Sequence, residues 1–235
     1  VTDGGGPLRF LVFLGSARAS APPYPPRLGL RVARACLSWL NQDRRQAGLV
    51  DPLDIELPPV FKPHFAARPG EAPAGLDALA GQIAAADGYV MVSPEYNHSM
   101  SPALAHLLNH FGSSLFAFKP SVIVTYSAGQ WGGTRAAVGM RSFLGELGCL
   151  PVSAMIHVPR AQEVFAEDGS VQDESHAAEW AGFFGRAFKQ LDWWAAAARA
   201  GREARDPHAL TPAFRRNVAA RNAPGSDGEG PGPGS

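Results

Sequence analysis

Cysteine is nearly absent from this chain: two residues, Cys36 and Cys149, in 235. Two isolated thiols make neither a disulfide framework nor a metal-ligand spacing, so both are expected in the core. Lysine is almost as scarce, with three residues (Lys62, Lys119, Lys189) against 18 arginines. Alongside abundant Ala, Gly and Pro, that bias reads as coding-sequence composition rather than a phosphate-binding surface. Net charge is missing too, since 21 basic and 21 acidic side chains cancel. No global field therefore draws the protein to nucleic acid or to an anionic membrane, and neither is expected as a partner. No apolar run reaches the ~18 residues of a membrane span, and no charged-then-apolar leader follows Val1; a soluble cytoplasmic protein is the expectation. HExxH and Cys/His metal spacings are absent, and Ser93, Ser99 and Ser101 lack a G-x-S-x-G elbow. No metal site is expected. Where no side chain is equipped for the difficult step, a cofactor is expected to carry it.

What is present is a 46% hydrophobic chain with short apolar runs alternating with longer amphipathic ones. The runs at 8–14 (LRFLVFL), 50–57, 88–93 (GYVMVS), 119–127 (KPSVIVTYS) and 150–158 (LPVSAMIHV) read as strands. Helical spacing fills 29–46, 75–86, 102–116, 134–147 and 173–199. Five strands separated by helices predict one α/β domain, a doubly wound five-stranded parallel sheet in the order 2-1-3-4-5. Residues 1–7, with Gly4-Gly5-Gly6, read as a flexible tail, and the stretch from Ala223 has too few apolar side chains to order itself.

Such sheets bind ligands beyond the carboxyl ends of their strands, at the switch point. Three loops fall there. The first opens with Gly15-Ser16-Ala17-Arg18 and closes at Arg27-Leu28-Gly29, where a helix starts. Glycine permits the turn, Ser16 and backbone amides donate to oxygen anions, and Arg18 and Arg27 offer charge for a phosphate. The alternative is a surface turn with solvated arginines. The second loop, Pro94-Glu95-Tyr96-Asn97-His98, offers amides, an aromatic face and a side-chain amide, which suit a flat heteroaromatic ring. Glu95 reads as a helix-approach carboxylate or ion pair ahead of general acid/base work. His98 reads as a half-exposed loop histidine ahead of a ring-oxygen donor. The third loop, Ser127-Ala128-Gly129-Gln130-Trp131-Gly132-Gly133, has the glycines a main chain needs to approach a ligand closely. Trp131 either lines the ring or fills a subunit contact.

Together these residues resemble the NADPH-dependent FMN reductase family of flavodoxin-like proteins. The matching segments are Gly15-Ser16-x-Arg18, Arg27-x-Gly29-x-x-Val32-Ala33, Ala86-Asp87, Pro94-Glu95-Tyr96-Asn97 with Ser99 and Leu104, and Ser127-x-Gly129-x-x-Gly132-Gly133-x-Arg135-Ala136. They run in order from Leu8 to Leu191, and Pro94-Glu95-Tyr96-Asn97 is the most specific. The resemblance implies a flavodoxin-like FMN-binding domain over residues 8–200. Gly15, Ser16, Arg18 and Arg27 would hold the FMN phosphate. Pro94 to His98 and Ser127 to Gly132 would bracket the isoalloxazine.

The activity implied is a ping-pong NAD(P)H oxidoreductase. Hydride passes from NAD(P)H to flavin N5 and then to a small acceptor (a flavin, quinone, azo compound or metal oxyanion), with no catalytic side chain. A non-enzymatic FMN electron carrier is the alternative, though carriers are usually acidic and this chain is neutral. A degenerate regulatory member is another. The chain departs from the family at Ala105, His106 and Asn109, where a Lys-Asn pair and an Asp are usual. A homodimer or homotetramer is expected, with its usual geometry in question. Ala19 to Pro26, including Tyr24, lengthens the phosphate loop, and Gly201 to Ser235 is an extension expected to be largely disordered.

Overall fold

A computed structural model describes residues 6–18, 27–42, 45–68 and 70–210. The Ala19 to Pro26 insertion and the chain beyond Leu210 lie outside the described residues.

Strand β1 (Leu8–Leu14) is the centre of the sheet, with β2 (Arg45–Val50) and β3 (Gly88–Tyr96) pairing parallel on its two sides. Strand β5 (Lys119–Tyr126) follows parallel to β3, and β6 (Cys149–Pro151) and β7 (Ile156–Val158) both pair with β5. The short β4 (Ser99–Met100) only folds back on β3. The order is therefore β2-β1-β3-β5-β6, the doubly wound arrangement expected, with β5 as the fourth core strand.

The period of two along β1 shows why the sheet is covered on both faces. Phe10, Val12 and Leu14 enter one buried cluster with Val32 and Cys36 of α1 (Leu28–Leu40) and Phe184, Phe188 and Leu191 of α7 (Ala177–Ala204). Leu11 and Phe13 enter the opposite cluster. There they meet Leu76 and Ile83 of α2 (Ala74–Ala85), Leu104 and Leu107 of α3 (Pro102–Asn109), and Met140 of α5 (Thr134–Glu146). Both cysteines are buried and free. No helix among the described residues is long and apolar enough to cross a membrane.

Several boundaries differ from the expectation. The second strand is Arg45–Val50, not 50–57. Asp51 stops it: its carboxylate accepts from Leu53 N at 3.0 Å and starts a 3-10 turn over Pro52–Asp54. Ile55 and Leu57 still pack on the core, but not from a strand. The fifth strand is cut in two after Pro151: Val152 N still donates to Ser121 O at 2.9 Å, but Ser153 Oγ and Ala154 N turn to Gln190 Oε1 of α7 instead of to β5. The segment 102–116 breaks at Gly112 into α3 and α4 (Ser113–Phe116). Helix α7 starts later and runs past residue 200 to Ala204, followed by α8 (Pro207–Leu210). α6 (Ala161–Val164) is a single turn after β7.

The carboxyl end of α7 has a partner at the amino end of the sheet. Arg199 and Arg202 reach Asp87, which is buried and also accepts from Arg9 N at 2.9 Å. Burial opposes the charge on Asp87. The hydrogen bonds from Arg199 and Arg9, with the two guanidinium charges, outweigh burial and hold its carboxyl below the usual 3.8. A lowered folded-state value means this stabilisation is complete above the unfolded pKa and is lost as pH falls through the folded one. Asp87→Asn is therefore expected to flatten the acid limb of the stability profile below about pH 4. Urea unfolding midpoints against pH measure it.

Candidate functional site

Gly15 ends β1 and turns immediately. Its N–H donates to Val92 O at 2.7 Å, and a Cβ there would sit 2.7 Å from the same oxygen. Only glycine keeps this loop against β3. Ser16 is buried, its side chain beside the Tyr126 hydroxyl, and its carbonyl accepts from Arg27 Nη1 at 2.8 Å. Burial first, then the Ser16 contact working against it, sets the net upward pKa shift of Tyr126, which stays neutral. The amides of Ser16, Ala17 and Arg18 make no hydrogen bond among the described residues. Helix α1 begins beside them with no side-chain cap and no acidic residue in its first turn. N–H groups without a partner among the described residues, beside an uncapped helix start, suit an anion. Arg18 is exposed beside them.

Arg27 is placed differently from expectation. It is buried, and its guanidinium makes a two-point ion pair with buried Asp51, with Nη1 to Oδ1 at 3.0 Å. Its charge is matched by a carboxylate, so its evident work is to hold the Ser16 carbonyl rather than to meet a phosphate.

The second loop is a hairpin. β3 continues through Pro94, Glu95 and Tyr96, pairs antiparallel with β4, and reverses at Asn97 and His98, with φ of 49° and 64°. Two successive left-handed residues are the signature of a type I′ turn, for which Asn is well suited. Ser93 braces the base, accepting from Ser101 N at 2.9 Å and donating to Pro94 O at 2.8 Å. Tyr96, Asn97 and His98 are exposed at the tip. The Glu95 carboxylate faces the start of α5, accepting from Arg135 N at 3.2 Å and Ala136 N at 3.4 Å, with the Arg135 guanidinium 3.6 Å away. It caps a helix and joins an ion pair, the first of the two roles considered for it.

The third loop is tied down on one side only. Ser127 O accepts from Ala161 N, Ala128 O from Gln162 Nε2, and Gly129 O from Arg160 N. Trp131 O accepts from Thr134 N, and Gly132 O from Thr125 Oγ1. Ser127 Oγ bridges the loop, donating to Gly129 O and accepting from Gly132 N. The amides of Ala128, Gly129, Gln130 and Trp131 make no hydrogen bond among the described residues. The loop thus offers donors and keeps most of its acceptors occupied, which suits a ligand edge rich in carbonyl oxygen and bare nitrogen. Gly132 and Gly133 hold φ of 59° and 76°, where side chains are rarely tolerated. Trp131 is 60% exposed with Arg135 over its ring at 5.6 Å.

Since β1, β3 and β5 are parallel neighbours, all three loops leave the same edge of the sheet. Pro94 is in register with Tyr126, and Tyr126 touches Ser16, so the loops are physically connected. Sequence reasoning passed over Asp51, Thr125, Tyr126, His157 and Gln162. The available signal was weak: Thr125 and Tyr126 are polar groups at the carboxyl end of an otherwise apolar strand. Among the described residues, no three His, Cys, Asp or Glu side chains converge as metal ligands.

The sequence matches the NADPH-dependent FMN reductase family over residues 8–163, a span that includes all three loops. The chain belongs to that family. A NADPH azoreductase of Bacillus sp. (strain OY1-2) is 35% identical over 102 residues, 43% of this chain and 55% of that one. A quinone reductase of Escherichia coli (strain K12) is 41% identical over 75 residues, 31% of this chain and 40% of that one. The matches thus span about half the length of these relatives or less. The flavoenzyme FerB of Paracoccus denitrificans, a NAD(P)H:(acceptor) oxidoreductase, shares the fold at TM-score 0.63 and 23% identity, covering 79% of this chain and 97% of that one. FMN is the cofactor that goes with this family, and the residues present fit it. The amides of 16–18 beside the start of α1 match a phosphate, and the amides of 128–131 match the oxygen- and nitrogen-rich edge of the ring.

Proposed function

We propose that the protein is an FMN-dependent NAD(P)H oxidoreductase acting on small acceptors such as quinones, azo compounds or flavins. One observation carries the reading: backbone amides of two loops that have no partner among the described residues, with the hairpin between them, stand on one rim of the sheet. Bound FMN would supply the two-electron chemistry, reduced by NAD(P)H and reoxidised by the acceptor in a ping-pong cycle. The chain's own residues bind and orient. The amides of Ser16 to Arg18 and the start of α1 hold the phosphate, and Arg18 adds charge. Pro94 to His98 and Ser127 to Gly132 would flank the ring, and the amides of 128–131 would donate to its oxygen- and nitrogen-bearing edge. Exposed Tyr96 and Trp131 line the approach for a flat acceptor. No side chain is required as acid or base.

Anaerobic addition of NADH or NADPH to the FMN-loaded protein tests this, followed by reoxidation with a quinone and an azo compound and no partner protein. Bleaching followed by recovery, and steady NAD(P)H consumption, is the expected result. A flavin that bleaches only with a partner reductase would make the chain an electron carrier instead. Arg18→Ala is expected to raise the FMN dissociation constant about tenfold and to leave riboflavin, which lacks the phosphate, unaffected. Exposed Leu53, Val60, Phe61 and Phe65 support self-association as a homodimer or homotetramer, which sedimentation would confirm or refute.

A further inference from the structure

We propose that His157 is a positioning residue for the flavin loop, acting through the Thr125 hydroxyl on the Gly132 carbonyl. The inference rests on the FMN reading above and adds to it a part of the chain that no loop motif contains. Thr125 and His157 are register partners on β5 and β7, so their side chains emerge side by side. Thr125 Oγ1 lies 2.7 Å from Gly132 O and 2.7 Å from His157 Nδ1.

A hydroxyl has one proton to give, and a carbonyl has none. At that spacing the Thr125 proton goes to Gly132 O, and the second contact is favourable only if His157 Nδ1 brings its own proton. A bare Nδ1 would compete for the hydroxyl proton and release the carbonyl. The geometry therefore selects the Nδ1–H tautomer of neutral His157. Burial lowers the pKa of this histidine and favours that neutral form. Nδ1 keeps its proton in the imidazolium as well, so the chain of bonds does not depend on the charge state.

The locked carbonyl matters because of its neighbours. Gly132 and Gly133 are two successive glycines at positive φ, and a peptide between glycines reorients at little steric cost. Ser127 Oγ holds the Gly132 N–H, and Thr125 holds its C=O. With both ends fixed, the turn cannot roll, and the amides of 128–131 stay turned outward. Without the Thr125 bond, Gly132 O is free to swing toward the ring edge, where it would oppose electron-rich atoms.

Four single variants, one double variant and two readouts test this on the full chain. His157→Leu removes the donor, whereas His157→Asn places an amide N–H where Nδ1 stood. Thr125→Val removes the hydroxyl, whereas Thr125→Ser keeps it. His157→Leu and Thr125→Val are each expected to raise the FMN dissociation constant about threefold to tenfold, and His157→Asn and Thr125→Ser to stay near wild type. The double variant His157→Leu/Thr125→Val is expected to bind no more weakly than Thr125→Val alone, because one chain of bonds is broken once. Nitrogen-15 NMR of the imidazole is expected to show the Nδ1–H tautomer, with the Gly132 and Gly133 amide signals moving in His157→Leu. An Nε2–H tautomer, or FMN binding by His157→Leu equal to wild type, overturns the proposal. If the wild-type chain itself takes no FMN, the flavin reading falls separately. The tautomer and the two glycine signals still decide the latch, and unmoved signals reject it.

Discussion

Arg27→Met is expected to destabilise the protein by about 3–5 kcal/mol, because it strands a buried carboxylate. Asp51 is nearly inaccessible and its cation partner is Arg27, so removing the guanidinium leaves its charge unmatched in the interior. Methionine retains the aliphatic length and hence most of the packing, which isolates the electrostatic effect. The same substitution releases the Ser16 carbonyl, so FMN affinity falls as well. The two effects separate in Arg27→Met/Asp51→Leu. A buried ion pair replaced by apolar groups is often neutral for stability, so the double variant is expected to recover most of the unfolding free energy. The unheld Ser16 loop leaves FMN binding impaired. Urea denaturation and FMN titration on the same three proteins provide the comparison.

Gly29→Ala is the second large effect. A Cβ at this position would lie 2.3 Å from the Tyr126 hydroxyl oxygen, 2.8 Å from its Cζ and 2.9 Å from Leu14 Cδ1. The phenol ring is rigid and buried between strand and helix, so it has little room to yield. Overpacking of this kind costs about 1–3 kcal/mol. The consequence for function is more specific: Tyr126 must leave Ser16, and the phosphate loop loses its link to β5. FMN affinity is expected to fall about tenfold, the equivalent of ~1.4 kcal/mol. Gly81→Ala supplies the control. Nothing lies within 4 Å of a Cβ there, inside α2, so alanine is expected to stabilise by roughly 0.5–1 kcal/mol.

Much of the architecture was legible because it is written in short-range periodicity. The uninterrupted apolar run of β1 demands cover on both faces, and the alternation of strand and helix leaves a parallel sheet as the simple solution. The order followed from crossover handedness, not from any residue. What escaped was decided by single polar groups acting at long range. Asp51 ended β2 early by capping its own turn and pairing with Arg27, 24 positions away. Leu53, Ile55 and Leu57 alternate like a strand, but the 3-10 turn over Pro52–Asp54 takes the chain out of the sheet first. The last strand was divided where Ser153 and Ala154 hydrogen-bond Gln190 of α7 rather than β5, a partner 36 to 37 positions away.

The site was legible to the same depth. The three loops were visible as glycine- and proline-rich ends of apolar runs, and their shared rim followed from the topology. The division of labour within them was not. Arg27 looked like a phosphate cation and is a buried brace, a distinction that depends on where Asp51 lands. Asn97 and His98, read only as part of a ligand loop, also form the reversal of a hairpin, which the β3–β4 pairing and their positive φ values reveal. Thr125 and His157 are 32 residues apart, and only the β5–β7 register brings them to one carbonyl.

Equilibrium titration of FMN into the purified chain, read by flavin and tryptophan fluorescence, addresses the central claim directly. Saturable uptake of one FMN per chain at micromolar concentrations is the expected result, with Trp131 of the third loop reporting the event. Fluorescence unchanged throughout the titration would contradict it.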